Sequence, residues 1–196
     1  MIASIPNVLT VVRLFLAVPM WYFLSQQTVN GIIVGGVLFC VAAATDFVDG
    51  YISRRYQLNS SFGIILDPIA DKVLILTALW FFQNISLLSW GVVALITFRE
   101  VLVTILRFRA LKKGRVLAPE KSGKLKTGVQ IASIIALISA NLAIVTKQDT
   151  PLLYATLTPA LLLFFWSAYL AILSGYQFCL VYWDRAVDDT RKQSDT

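Results

Sequence analysis

Histidine is missing altogether from the 196 residues. That absence excludes the usual zinc-hydrolase and Ser/His nucleophilic sites, which depend on imidazole. Cysteine is nearly missing. Cys40 and Cys179 both fall in apolar runs, with no CxxC-type spacing. Two such residues make neither a disulfide framework nor a thiolate metal site. Charge is scarce as well, at 14% of residues, where a soluble domain carries about a quarter. There is no internal repeat and no linker long enough to divide domains. No basic residue precedes the first apolar run, and that run is long, so it reads as a retained helix rather than a cleaved signal peptide.

What remains is apolar: 58% of the chain is hydrophobic, in long runs separated by short polar breaks. This pattern predicts an all-α integral membrane protein with six transmembrane helices, over about 6–24, 31–54, 61–82, 87–108, 125–145 and 154–183. The last run exceeds the ~20 residues needed to cross a bilayer and is expected to tilt. The expected organisation is one six-helix domain over 1–183 and a polar, fraying cytoplasmic tail over 184–196. Lys and Arg set the orientation. With the N-terminus inside, the inner ends and loops collect Arg54, Arg55, Arg107, Arg109, Lys112, Lys113, Arg115, Lys121, Lys124, Lys126, Arg185, Arg191 and Lys192. The three outer turns hold only Lys147. That asymmetry predicts both termini in the cytoplasm. The net charge of +6 is then a topology and anionic-lipid signal, and no nucleic-acid partner is expected.

One stretch conflicts with this lipid-suited background. Residues 46–72 read DFVDGYISRRYQLNSSFGIILDPIADK and hold Asp46, Asp49, Asp67 and Asp71. Spacings of three and four residues put each pair on one helical face. The polar segment between them suits a hairpin loop, so both pairs belong near the same, cytoplasmic end of helices 2 and 3. An acid at a helix centre costs roughly 2.5–3.5 kcal/mol of insertion free energy, while each Leu or Ile returns about 0.3–0.6 kcal/mol. Four acids therefore need a wet cavity, cationic partners or metal. A packing network with Arg54, Arg55 and Lys72 is the plain structural alternative. Crowded carboxylates without His or Cys favour a hard cation such as Mg²⁺ or Mn²⁺. A hard ion beside a basic loop suggests a phosphate substrate. Gly63, near a helix N-terminus, lets a phosphate or ring approach the backbone, or simply allows close helix packing.

The motif Asp46-x-x-Asp49-Gly50-x-x-Ser53-Arg54, eight residues, Gly63-x-x-x-Asp67-x-x-x-Asp71 resembles that of the CDP-alcohol phosphatidyltransferases, D-x-x-D-G-x-x-A-R, eight residues, G-x-x-x-D-x-x-x-D. One position departs: Ser53 stands where the family usually has Ala, which touches only the fine shape of the nucleotide pocket. Further stretches resemble the bacterial branch that uses glycerol 3-phosphate as acceptor. These are Pro6-Asn7-Val8-Leu9-Thr10 with Arg13, Leu66 to Lys72, Arg99-Glu100, and Gly123-Lys124-Leu125-Lys126-Thr127.

The resemblance implies transfer of a phosphatidyl group from CDP-diacylglycerol to sn-glycerol 3-phosphate, giving phosphatidylglycerophosphate and CMP. It implies that Asp46, Asp49, Asp67 and Asp71 bind two divalent ions, Mg²⁺ or Mn²⁺, about 3.5–4 Å apart. Asp71 is the expected base for the acceptor hydroxyl. Asp49, Gly50, Ser53, Arg54 and Gly63 are expected to line the CDP-diacylglycerol site. Arg99, Arg107, Lys124 and Lys126 are expected to meet the glycerol 3-phosphate. Arg99 lies inside an apolar run, where a cation needs a partner. Glu100 starts about 100° away around the helix and need not be that partner. The resemblance also implies a homodimer in the bacterial inner membrane, in contact with membrane lipids, with its site near the cytoplasmic face. Alternatives are the same chemistry with phosphatidylglycerol, inositol phosphate or serine as acceptor. From another class, a cation transporter would use the acids as an ion path, but it leaves the Gly50/Arg54/Gly63 spacing without a role.

Overall fold

The computed structural model describes the backbone of residues 5–56, 63–112 and 121–194, and side chains within 11–45, 69–70, 72–110 and 126–183. Six helices account for it: α1 (Ile5–Ser25), α2 (Val29–Tyr56), α3 (Gly63–Asn84), α4 (Trp90–Lys112), α5 (Lys121–Val145) and α6 (Thr150–Ser194). No strand occurs among the described residues. The all-α expectation and the number of helices agree with this.

Helix bounds differ from expectation mainly at α6. The tail read as polar and fraying is helical as far as Ser194. No glycine or proline follows Gly175 up to that point. A helix already nucleated adds residues at little entropic penalty, so polarity alone does not stop it. Also, α4 starts at Trp90 rather than 87, because the preceding residues are consumed in closing α3. Ser86 takes a left-handed φ of 60°, its N–H donates to the Gln83 carbonyl, and the Leu87 N–H donates to the Phe82 carbonyl. This is a Schellman stop with serine in the position glycine usually fills. Lys147 (φ 51°) closes α5 the same way, its N–H and that of Gln148 donating to the carbonyls of Ile144 and Ala143.

Packing follows the apolar faces. The most extensive pairings are α5 with α6 and α1 with α2 and α3, with α4 leaning on α6. Met20, Leu24, Ile32, Phe39, Leu79, Phe81, Phe82, Ile134, Leu137 and Phe164 are buried in one continuous core. Much of it lies toward the end of the bundle that carries the α1–α2, α3–α4 and α5–α6 turns. Trp21 and Phe82 both make edge-on ring contacts with Phe81. Between α3 and α4, Trp80 Nε1 donates to Thr97 Oγ1 at 3.1 Å.

The outside is apolar too. Phe15, Val18, Trp90, Phe98, Leu162, Tyr176 and Trp183 are each more than 60% exposed. An exposed apolar surface this extensive is what lipid covers. Two described stretches, Lys126–Val145 and Thr150–Trp183, are long and apolar enough to cross a bilayer. Val11–Ser25 and Val29–Thr45 are shorter apolar helices.

The α1–α2 hairpin depends on a close approach. Thr28 caps α2, its Oγ1 accepting from the Gly31 N–H at 3.1 Å. A Cβ on Gly31 would sit 2.5 Å from the Phe23 carbonyl oxygen, a backbone atom that cannot swing aside. Gly31→Ala is therefore expected to open the hairpin and destabilise the fold by about 1–3 kcal/mol, read as a lower melting temperature in detergent micelles.

Candidate active site

The helices carry the acidic motif as its spacing requires. Asp46 and Asp49 are one turn apart on α2, and Asp67 and Asp71 one turn apart on α3. At 1.5 Å per residue the first pair lies about 10–15 Å before the end of α2. The second lies about 6–12 Å after the start of α3. Only six residues join those two ends, so both pairs belong to one end of the bundle, opposite the apolar core. The side chains of Asp46, Asp49, Ser53, Arg54, Asp67, Asp71 and Lys124 lie outside the described residues. The same is true of the contacts of Gly50 and Gly63. All four acids are oxygen donors, and no His or Cys occurs between residues 46 and 72. The chemistry of that donor set fits a hard divalent cation.

Next to Asp71 in the chain, Lys72 leads into a buried ionic cluster. Its Nζ donates to Glu100 Oε2 at 2.6 Å, and the Arg99 Nη1 donates to Glu100 Oε1 at 2.6 Å. Lys126, from the first turns of α5, donates to the same Oε1. Glu100, Lys126 and Arg99 are about nine-tenths buried, and Lys72 is three-quarters buried. Arg99 also donates from Nη2 to Ser174 Oγ on α6 at 2.6 Å. One carboxylate thus ties together side chains from α3, α4 and α5, and through Arg99 reaches α6. Three cations surround one anion, so among the described side chains the cluster carries a surplus of positive charge. It can hold an anion.

Of the residues expected at the acceptor, Arg99 and Lys126 come together. Arg107 stands apart, its guanidinium 5.8 Å over the Phe178 ring. The partner of Arg99, left open by helical phase, is Glu100. The 100° between neighbouring positions governs only where each Cβ starts, and the long arginine arm folds back to bridge it. Lys72, which the sequence offers as a neutraliser of the aspartates, has Glu100 as its described partner. Ser174 and Gly175 carried no chemical signal in sequence beyond being small residues in an uncharged run. Arg13, on α1, is fully buried and lines a small cavity with Phe39, Leu74 and Thr127, close to the start of α5.

The chain belongs to the CDP-alcohol phosphatidyltransferase family, whose family model matches residues 3–176. A Bacillus subtilis (strain 168) protein named CDP-diacylglycerol--glycerol-3-phosphate 3-phosphatidyltransferase is 42% identical over 109 residues, 55% of this chain and 56% of that protein. A Cereibacter sphaeroides protein of the same name is 40% identical over 141 residues, covering 68% and 62% of the two chains. A third of that name, from Rickettsia bellii (strain RML369-C), is 33% identical over 180 residues, covering 89% and 93%. The chain thus spans less than two thirds of the first two relatives and nearly all of the third.

The cluster generates a stability prediction. Among the described side chains, removing the Glu100 charge leaves three cations facing one another. Glu100→Gln is expected to destabilise the protein by about 3–5 kcal/mol. Arg107→Ala, whose described contact is a cation–π contact with Phe178, is expected to cost about 0.5–1 kcal/mol. Thermal melts of the two variants side by side in one detergent check the order.

Proposed function

We propose that the chain transfers a phosphatidyl group from CDP-diacylglycerol to sn-glycerol 3-phosphate, releasing CMP. The observation that carries this reading is the family's acidic motif on α2 and α3, followed directly by the basic Lys72–Arg99–Lys126 cluster. The names of relatives matched over much of the chain support the choice of acceptor. One half of the site suits a pyrophosphate and the other suits the phosphate of a small soluble anion. The apolar exterior suits a substrate with two acyl tails.

In this reading Asp46, Asp49, Asp67 and Asp71 hold the divalent ions, Mg²⁺ or Mn²⁺. When bound, such ions offset charge on the pyrophosphate and ease the departure of CMP. Asp49, Gly50, Ser53, Arg54 and Gly63 line the CDP-diacylglycerol site. Arg99 and Lys126, with Lys124 and Arg107 nearer the cytoplasm, orient the acceptor by its phosphate. The acceptor hydroxyl oxygen attacks the phosphorus that bears the diacylglycerol. The new P–O bond forms as the pyrophosphate P–O bond breaks, and the hydroxyl proton passes to the Asp71 carboxylate. Glu100 keeps Lys72, Arg99 and Lys126 in place, so the acceptor meets a preformed cationic surface.

The wider arrangement belongs to the same reading. Residues 1–183 form one catalytic domain of six spans in a bacterial inner membrane, with 184–196 as a polar extension. Both termini and the site face the cytoplasm, and two copies associate. The concentration of Lys and Arg at the ends opposite the Lys147 turn supports that orientation.

The test is CMP release by purified protein with CDP-diacylglycerol, Mg²⁺ or Mn²⁺, and each acceptor in parallel. Glycerol 3-phosphate is expected to support release, and chelation of the metal to stop it. Release with serine, inositol phosphate or phosphatidylglycerol but not with glycerol 3-phosphate would overturn the acceptor. Asp67→Asn and Asp71→Asn are each expected to abolish transfer while circular dichroism retains the helical signal. Arg99→Ala and Lys126→Ala are expected to raise the KM for glycerol 3-phosphate more than that for CDP-diacylglycerol.

A further inference from the structure

Arg99 is gripped by a helix that contributes nothing to the acidic motif. Its guanidinium is pinned at two points, Nη1 on Glu100 and Nη2 on Ser174 Oγ, each at 2.6 Å. Between them the side chain crosses Gly175. A Cβ at that position would stand 2.6 Å from Arg99 Nε, 2.9 Å from Cγ and 3.3 Å from Cδ. Ser174 and Gly175 are both buried, midway along α6. The hydroxyls of Ser133 and Ser167 turn back to carbonyls of their own helices, whereas Ser174 Oγ accepts from Arg99. Arg99 Nε is buried and has no acceptor among the described residues. Contact with Gly175 is therefore steric: the missing side chain is the space the arginine occupies.

We propose that Ser174 and Gly175 of α6 are positioning residues that set Arg99 for the acceptor's phosphate, making α6 a determinant of acceptor affinity. The proposal rests on the acceptor reading above. With Glu100 alone, the guanidinium would be free to turn about a single ionic contact and settle wholly onto the carboxylate. Ser174 draws the second nitrogen the other way, and the notch at Gly175 keeps the stem against α6. An alanine at 175 would collide with the arginine arm and with no backbone atom of another helix. Arg99 gives way, and the helix stays where it is.

The experiment is steady-state kinetics of the full-length protein in detergent, with glycerol 3-phosphate and CDP-diacylglycerol varied in turn. Ser174→Ala, Ser174→Thr and Gly175→Ala are measured alone and in an Arg99→Ala background. Ser174→Ala and Gly175→Ala are expected to raise the KM for glycerol 3-phosphate about tenfold, the scale of one lost charge-assisted hydrogen bond. The KM for CDP-diacylglycerol is expected to hold, and Ser174→Thr, which keeps the hydroxyl, to stay near the parent. Without Arg99, neither substitution is expected to add anything. Effects that persist in the Arg99→Ala background, or that fall equally on both substrates, would overturn the positioning role. Should Gly175→Ala fail to fold, Ser174→Ala and its threonine rescue decide alone. If Arg99→Ala raises the KM for glycerol 3-phosphate while the α6 substitutions do not, only the positioning role falls. If Arg99→Ala leaves that KM unchanged, the acceptor reading falls and takes the positioning role with it.

Discussion

A single buried carboxylate ties four helices together at one end of this bundle. Glu100 accepts from Lys72, Arg99 and Lys126, which arrive on three different helices, and Arg99 extends the link to a fourth. Taking any of these charges out of water is unfavourable by several kcal/mol, and only mutual pairing offsets it. The helices are therefore constrained to the one arrangement in which the four side chains meet. Among the described side chains the network holds three cations to one anion.

The two ends of the molecule divide the work. Around the short turns, side chains such as Leu24, Ile32, Phe81 and Phe82 form a dense apolar core, and left-handed stops at Ser86 and Lys147 end the helices sharply. At the other end the helices carry the buried charges of Lys72, Arg99, Glu100 and Lys126, whose removal from water opposes stability. The tight end makes the polar end affordable. Preorganised charge is useful in catalysis only if it does not have to rearrange as the reaction proceeds. A rigid apolar base and a saturated carboxylate both serve that need. The apolar exterior completes the design, because one proposed substrate is itself a lipid and the other arrives from water.

The helix α6 illustrates how such a site recruits distant parts of the chain. Ser174 and Gly175 lie 75 residues or more from Arg99 in sequence and touch it directly in the fold. Neither has acid, base or metal chemistry of its own. Their effect is geometric: one hydroxyl and one missing methyl group decide where a guanidinium sits. Arg107, which shares the same helix with Arg99 and the same charge, lies instead against the Phe178 ring. Equal charge at positions eight residues apart on one helix leads to different surroundings, because what α6 offers changes along its length.

Much of this was legible in the residues themselves. The number of helices followed from apolar runs longer than a soluble core needs, and the family followed from four aspartates, two glycines and an arginine at set spacing. These are local properties, written in the order of residues along a helix, and α2 and α3 carry the motif without a break. Other features were not local. The length of α6 past the polar boundary reflects propagation of a helix already formed, which composition does not report. The Arg99–Glu100 pair was left open by the sequence, because helical phase describes where a side chain begins and says nothing of where a long, flexible one ends. The contacts of Lys72 and Lys126 with Glu100, and of Arg99 with Ser174, join residues 26 to 75 positions apart. Such a meeting is decided by how helices pack. By itself, then, the sequence determined the helices, the acidic motif and the family. Only the tertiary structure decided which buried charges meet, because the free energy of a buried charge depends on its neighbours in space.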